Sequence, residues 1–305
     1  MLKKTAALAT VFLLSFLMIG KALFSVSGWS NGGYSDDPSN PDYGTHDWIA
    51  EHALDWLPSA EKQFILENLA TYLYGTELPD RPAAQGGIGD SFYHHVYYHA
   101  NGSLQDDASA IRAQSKYDAA VGYYKSGNVT EAVKMLGAMT HYIADMAVFG
   151  HVMGAGTDWG AEDEDLHSDY EKQANKCTNS YDDDFNIYLV YDSCLSNMSA
   201  YDAALMLAYN TTFGVNGDLT CVWMNQSYDW SNPVFVNRCG ESLDLAVNLI
   251  TDVLHTFYLE AAIPEYPPSL ILPLFIILTI IAILCIKKKG ICEKTNSKKH
   301  VFSGF

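Results

Sequence analysis

The sequence predicts an all-α, multi-helix domain that is followed by one C-terminal transmembrane helix. Apolar side chains recur at helical spacing through most of the 305-residue chain, and the sequence has no long alternating strand pattern and no internal repeat. Each end carries a long run without charge, unlike the middle. The middle is long enough to bury one sizeable core in a single domain.

The N-terminal residues 1–28 are predicted to be a secretory signal peptide. Two lysines precede the uncharged run 5–20, and Val26-Ser27-Gly28 supplies small residues for a signal peptidase that cuts before Trp29. We therefore expect the mature chain to begin with Trp29.

Residues 269–286 are predicted to form the membrane anchor. They contain no charge, they have about the minimum length of a bilayer-spanning helix, and three lysines follow at once. A buried core helix is the alternative, but the terminal position and the basic stop favour an anchor. We expect a single-pass protein of the cell membrane, with the domain 29–264 outside the cytoplasm and the basic tail 287–305 inside.

The charge between Trp29 and Pro268 is strongly negative. Nine Lys and Arg residues face 35 Asp and Glu residues there, which gives a formal charge of −26. Such a surface disfavours, without excluding, electrostatic capture of nucleic acid. Bound divalent cations would offset part of this charge.

Four cysteines fall in the predicted outer domain: Cys177, Cys194, Cys221 and Cys239. An even number in an oxidising compartment is compatible with two disulfides, and sequential pairing is one of three possible connectivities. A thiolate metal site is the alternative, but no CxxC spacing supports it. Five glycosylation sequons also fit a secreted surface.

Helical periodicity and capping residues locate the predicted helices. Asn128, with Glu131 three residues later, is typical of a capping box at the start of the helix that enters the sequence HYIAD. The Pro-rich and Gly-rich stretch ELPDRPAAQGGIGD is predicted to be a loop. The predicted helices begin at about Thr45 and at Ser59, and run over about 106–125, 128–145, 165–176, 198–213 and 241–262.

A string of histidines and carboxylates lies in the middle of the chain. His141 and Asp145 are four residues apart and therefore share one helix face, and His167 and Glu171 repeat this spacing. His151 lies between the two pairs. Imidazole and carboxylate ligands without thiolate suit Zn²⁺ in a site that keeps a water, although core histidines and surface pairs remain the alternative on spacing alone.

Earlier residues extend this string. Trp29 is at the predicted mature N-terminus, His46 lies in THDWIAEHAL, Asp80 in ELPDRP and His95 in YHHVYYHANG. In this order the string resembles the metal ligands of the bacterial zinc-dependent phospholipases C, whose fold is shared by the fungal single-strand nucleases. The resemblance covers Trp29 to about Lys176 and is most specific from His141 onward.

This resemblance implies three zinc ions. One would be held by Trp29, through its free amino group and carbonyl, together with His46 and Asp145. Asp145 would bridge to a second ion held by Asp80, His95 and His141. The third ion would be held by His151, His167 and Glu171.

The resemblance also implies the role of Asp80 and the choice of His95. Asp80 is expected to serve as general base as well as ligand, since the attacking water needs a proton acceptor beside the metals. His95 is preferred over His94 because an aromatic residue, Tyr97, follows two positions later, as in the family. His52 and His255 match no ligand.

The implied activity is hydrolysis of a phosphodiester by in-line attack of a zinc-bound water, and we expect the substrate to be a phospholipid. Glu171 resembles the phospholipase version of the last ligand, where the nucleases usually have Asp. A nuclease or nucleotidase of the same fold is the alternative enzyme, and a non-catalytic surface protein braced by its metals is the alternative outside enzymes. The oligomeric state and the lipid head group stay open.

Overall fold

The computed structural model describes residues 33–178, 184–262, 276–277 and 279–281. Contacts divide the chain into two units, Met1–Ala262 and Ile263–Phe305, and the first carries the domain described below. Its helices are α1 (Thr45–His52), α2 (Ser59–Leu66), α3 (Leu69–Glu77), α4 (Ala108–Lys125), α5 (Val129–Ala144), α6 (Glu164–Cys177), α7 (Ala200–Phe213), α8 (Cys221–Gln226) and α9 (Pro233–Phe257). The prediction of a mostly helical domain is confirmed.

Helix α5 lies at the centre of the domain. It contacts α1, α3, α4, α7 and α9, and every residue from Leu136 to Gly154 is buried. The Asn128 side chain caps its first turn by accepting from the Glu131 backbone N–H at 3.3 Å. Glu131 binds Lys134 instead of returning to Asn128, so only half of the expected capping box forms.

Two glycines let α3 and α5 cross at close range. A Cβ added at Gly137 would lie 2.0 Å from the Tyr72 carbonyl oxygen, and one added at Gly75 would lie 2.3 Å from the Lys134 carbonyl oxygen. Neither distance is sterically possible, so any larger residue would push the helices apart. The crossing brings the end of α3 against the part of α5 that carries His141.

Three differences from the predicted elements have local causes. The helix expected from Ser59 onward breaks at Asn68, whose backbone leaves the helical region. Helix α9 begins at Pro233, eight residues early, because Asn232 caps it and proline is well suited to the first helical position. A short hairpin pairs Tyr97–Tyr98 with Leu104–Asp106, where Gly102 adopts a φ of +83° in the turn.

The predicted disulfides do not form. Cys194, Cys221 and Cys239 are free thiols, which rules out both bridges of the sequential pairing. Cys221 and Cys239 are fully buried on α8 and α9, and burial raises the pKa of each thiol to about 12. These two side chains therefore pack as small apolar groups of the core.

The predicted ends of the chain fall largely outside the described residues. The signal peptide 1–28 and Trp29 lie outside them entirely, and only five positions of the anchor 269–286 are described. None of the helices within the described ranges combines the length and the hydropathy needed to cross a membrane.

Candidate metal centre

His141 is oriented by the crossing of α3 and α5. Its Nδ1–H donates to the carbonyl oxygen of Thr76, near the end of α3, at 2.8 Å. Because a carbonyl only accepts, this bond places a proton on Nδ1, so Nε2 is the nitrogen that can offer its lone pair to a metal. Nε2 lies 3.3 Å from Asp145 Oδ2 and 3.7 Å from Asp80 Oδ1, so it faces two carboxylates.

Asp145 lies where α5 ends, and its two oxygens face different histidines. Oδ2 lies 2.9 Å from His94 Nδ1 and 3.3 Å from His141 Nε2. Oδ1 lies 3.3 Å from His46 Nε2 and 3.9 Å from His151 Nε2. The side chain is fully buried, so this carboxylate joins ligand groups on both sides.

Asp80 reaches the cluster from the glycine-rich loop after α3. Ile88 N–H donates to the Leu78 carbonyl at 2.7 Å, and Gly89 N–H donates to the Pro79 carbonyl at 3.1 Å, which folds the loop back on itself. Gly89 has a φ of +64°, and a Cβ there would lie 2.7 Å from Ala83 N. This folding brings Asp80 beside His94, with Oδ1 and Nδ1 3.3 Å apart.

The geometry corrects the choice between the two adjacent histidines. His94 is buried in the cluster, whereas His95 is partly exposed, stacks on Tyr97 and directs Nε2 toward Asp106 at 3.4 Å. His94 follows the 3₁₀ turn Ser91–Tyr93 directly, and the side chains of His94 and His95 point in different directions there. We therefore replace His95 by His94 in the proposed ligand set.

The three residues expected to hold the third ion lie close together. His167 Nε2 lies 3.0 Å from Glu171 Oε1, one helical turn further along α6, and His151 Nε2 lies 3.5 Å from the same oxygen. The two imidazole rings meet edge to face at 4.8 Å. Gly150 makes room for this contact, since a Cβ there would lie 2.5 Å from the His167 ring.

Asp90 supports the cluster, and the sequence reasoning missed it. Its Oδ1 lies 3.5 Å from His94 Nε2 and accepts from the Tyr142 hydroxyl at 2.7 Å, while its Oδ2 accepts from Arg112 Nε at 2.9 Å. A metal-binding imidazole commonly has a carboxylate beside the ring nitrogen that does not bind the metal. The available signal was the spacing of four residues between Asp90 and His94.

The remaining histidines are paired outside the cluster. His52 Nδ1 lies 2.7 Å from Asp55 Oδ2 at the surface, and His255 Nδ1 lies 2.6 Å from Glu61 Oε2. Neither belongs to a potential metal group among the described residues. The acidic stretch before α6 does approach the cluster, because Glu162 and Glu164 lie within reach of His167.

Burial and charge act in opposite directions on the clustered groups. Burial alone would raise the pKa of the Asp145 carboxyl, but the charges of His141 and His151 hold it well below its usual value. Burial opposes protonation of His94, yet the carboxylates of Asp145 and Asp90 raise its pKa to about 9. Burial and the neighbouring His141 lower the pKa of His46 to about 4. The bridging carboxylate is therefore ionised, the form that binds a cation.

A family match decides what this cluster is for. The sequence pattern of zinc-dependent phospholipase C matches residues 45–211, more than half of the chain, and includes every described ligand candidate. The chain belongs to the zinc-dependent phospholipase C family. The predicted resemblance is thereby confirmed, and so, at the level of the family, are a phosphodiester hydrolase and zinc as its cofactor.

The donor set fits the zinc of this family. Six buried ligand atoms make no hydrogen bond, although buried polar atoms are normally satisfied. They are His46 Nε2, Asp80 Oδ1, Asp145 Oδ1 and Oδ2, His151 Nε2 and Glu171 Oε2. Nitrogen and carboxylate oxygen without sulfur are the ligands of catalytic zinc sites.

The potential metal groups match several ions. Within each group the ligand atoms lie within 4.8 Å of one another, and two of the groups share His141. With His94 in place of His95, three groups among the described residues consist only of expected ligands: His46/Asp80/His141, His94/His141/Asp145 and His151/His167/Glu171. The third is one expected ion site, whereas the first combines His46, expected at the first ion, with Asp80 and His141, expected at the second. This arrangement is consistent with multiple zinc ions.

Two solved structures are similar to this member of the zinc-dependent phospholipase C family. The alpha toxin of Clostridium absonum matches with a TM-score of 0.49 and 15% identity, over 75% of this chain and 66% of the toxin. The alpha-toxin of Clostridium perfringens, from an avian strain, matches with a TM-score of 0.46 and 14% identity, over 77% of this chain and 67% of the toxin. The chain thus spans about two thirds of the length of these toxins. Among curated proteins, no sequence matches it.

Proposed function

We propose that the protein is a single-pass membrane enzyme whose domain 29–264 lies outside the cytoplasm and hydrolyses phospholipids. The products would be a phosphomonoester and an alcohol, as in a phospholipase C. Three zinc ions would be held by His46, Asp80, His94, His141, Asp145, His151, His167 and Glu171, with Trp29 as a further ligand of the first ion.

The observation that carries the proposal is the buried carboxylate oxygen of Asp80, which lacks a hydrogen bond. Its Oδ1 is buried without a hydrogen bond, at 3.3 Å from His94 Nδ1 and 3.7 Å from His141 Nε2. A carboxylate with an unused oxygen beside several metal ligands can bind an ion and can also accept a proton from a nearby water. Because Asp80 is also an expected zinc ligand, the substitution below distinguishes a catalytic role of this carboxylate from a purely structural one.

The N-terminal segment supports Trp29 as a ligand. Tyr34 donates its hydroxyl to the Asp80 carbonyl oxygen at 2.7 Å, and Arg81 Nη1 donates to the Ser35 carbonyl at 2.6 Å. The segment is therefore fastened beside the cluster. Five residues of extended chain reach about 17 Å from this point, and we propose that they carry Trp29 to the ion held by His46 and Asp145.

The chemistry divides between the metals and the protein. Bound zinc supplies Lewis acidity and a water of lowered pKa. Asp80 accepts the proton of the attacking water, and Asp145 holds His46, His94 and His141 in one arrangement. The buried surroundings strengthen each charge that acts on the phosphate.

A phospholipid suits this protein better than a nucleic acid. The strongly acidic segment 29–268, with a formal charge of −26, would repel a polyanion along its whole length, whereas one lipid phosphate meets only the metal centre. The predicted anchor 269–286 would keep the domain at a membrane. Nuclease activity is therefore the alternative result of the assay below.

Substitution of Asp80 by Asn tests the mechanism. The parent protein is expected to hydrolyse phosphatidylcholine and to leave single-stranded DNA intact. Asp80→Asn is expected to lower the rate by about 10²- to 10⁴-fold, the usual contribution of a positioned general base. Asp55→Asn, which removes an exposed carboxylate paired only with His52, serves as the control and should keep the parent rate.

Zinc content measured on the same samples separates the possible outcomes. A parent protein with bound zinc and no hydrolysis of either substrate would identify a metal-braced surface protein instead. An unchanged rate in Asp80→Asn would exclude Asp80 as the base.

A further inference from the structure

One aromatic side chain projects into solvent directly beside the metal centre. Phe92 is 87% exposed, in the 3₁₀ turn Ser91–Tyr93. The residues that flank this turn, Asp90 and His94, both face the cluster. No other large apolar side chain of the described residues is as exposed as Phe92, and the adjacent Tyr93 ring is 47% exposed, so an apolar surface is available there to a lipid phase or to another molecule.

The turn that carries Phe92 is held firmly. The Arg112 guanidinium stacks on the Tyr93 ring, 4.3 Å from its centre, and the same side chain donates through Nε to Asp90. The turn also packs against α4, the helix that carries Arg112. These contacts hold the backbone of the turn in place, so Phe92 does not belong to a loose loop.

Two cationic side chains lie at the same place in an otherwise acidic domain, beside the Asp90 carboxylate that accepts from Arg112 Nε. Arg112 and Lys116 are one helical turn apart on α4, and both are only partly buried. They are two of the nine cationic residues between Trp29 and Pro268. An apolar ring beside two cations matches the boundary of a bilayer, where acyl chains lie just below a layer of phosphates.

We propose that Phe92, Tyr93, Arg112 and Lys116 form a surface, the Phe92 surface, that docks on a phospholipid bilayer. Phe92 enters the boundary between head groups and acyl chains, and Arg112 and Lys116 meet lipid phosphates. The inference rests on the proposed function, because it places the metal centre within reach of lipids in the bilayer. A protein partner would need a broader apolar patch than one projecting ring.

Brominated lipids test this docking without any need for turnover. The full-length protein carrying Phe92→Trp is reconstituted in vesicles of phosphatidylcholine, with or without bromine on the acyl chains. The matched control is Ile187→Trp, because Ile187 is also highly exposed, at 78%, but lies in the turn Asp184–Tyr188. We expect bromine to quench tryptophan 92 beyond the parent signal and to leave tryptophan 187 unaffected. No quenching at position 92, or equal quenching at both positions, would overturn the proposal.

A kinetic measurement separates this inference from the proposed function. For Phe92→Ser, the ratio of the rate on phosphatidylcholine vesicles to the rate on monomeric dihexanoyl phosphatidylcholine should fall at least about tenfold, as expected when one buried phenylalanine is lost. Ile187→Ser should keep the parent ratio. A parent that cleaves both substrates, together with an unchanged ratio in Phe92→Ser, would refute the docking surface alone. A parent that cleaves neither substrate would refute the proposed function, and the bromine experiment would then decide the docking surface separately.

Discussion

Asp90 shows how one side chain outside the ligand set can control a ligand. It accepts from Tyr142 and from Arg112, which fix its carboxylate from two directions, and its Oδ1 lies 3.5 Å from the outer nitrogen of His94. The other ring nitrogen of His94 faces Asp80 and Asp145. A proton on Nε2, facing the Asp90 carboxylate, would leave Nδ1 of His94 available to a metal.

Replacement of Asp90 by Asn is expected to weaken zinc binding about 10- to 100-fold, the usual effect of losing the partner of a metal-binding histidine. Competition against a chromophoric chelator measures this affinity. Asp158→Asn is the matched control, because Asp158 faces His99 at the surface in a similar way, 3.4 Å from Nδ1. Equal zinc affinities for the parent and for Asp90→Asn would show that His94 needs no such partner.

At the scale of elements, the crossing of α3 and α5 determines the geometry of the centre. Gly75 and Gly137 permit the contact, and the resulting bond from His141 to Thr76 selects the nitrogen that faces the carboxylates. The packing of α3 against α5 therefore sets the orientation of the His141 imidazole.

Gly137→Ala is expected to destabilise the protein by about 1–3 kcal/mol or more, the cost of overpacking, and to reduce its zinc content. The added Cβ would collide with the Tyr72 carbonyl and displace His141 from Thr76. Thermal unfolding and metal analysis measure the two effects.

The control for this substitution is Gly122→Ala. Gly122 lies inside α4 with open space around it, so alanine there should be neutral or stabilising by up to about 1 kcal/mol. Equal stability and zinc content in both variants would contradict the role assigned to the crossing.

At the scale of the whole molecule, the metal centre joins segments that are far apart in sequence. His46 lies on α1, and Asp80 and His94 lie on the loop after α3. The remaining ligands lie on α5, on the segment between α5 and α6, and on α6. Bound zinc would therefore stabilise the folded state against an unfolded chain in which these segments are separate.

Removal of zinc with a chelator is expected to lower the Tm by on the order of 10 °C, since several kcal/mol of binding energy would be lost. Differential scanning calorimetry measures this change. His151→Ala should show a smaller chelator effect, whereas His52→Ala, which removes a histidine paired at the surface, should retain the parent effect. A Tm that does not respond to the chelator in the parent would argue against zinc as part of the fold.

The sequence allowed much of this centre to be predicted, for identifiable physical reasons. Helical spacing alone indicated that His141 lies beside Asp145 and His167 beside Glu171, because helix geometry fixes which residues share a face. Asp80 and His46 could be added only through the family resemblance, since their approach depends on tertiary packing.

Other features could not be derived from sequence. Which of His94 and His95 enters the cluster depends on where the 3₁₀ turn Ser91–Tyr93 ends, and the hydrophobic periodicity of the sequence does not indicate this end. The role of Asp90 depends on how the glycine-rich loop folds back. The expected disulfides failed because Cys221 and Cys239 face the helical core, which cysteine spacing does not reveal.

The unbroken burial from Leu136 to Gly154 has a consequence for how the chain tolerates changes in length. An insertion of one residue between His141 and Asp145 would rotate everything after it by about 100° around the helix axis and would carry Asp145 away from the shared face. The segment before α6 is largely exposed, so it could absorb added residues without moving a ligand. Insertions and deletions are therefore expected to be confined to the loops around this centre.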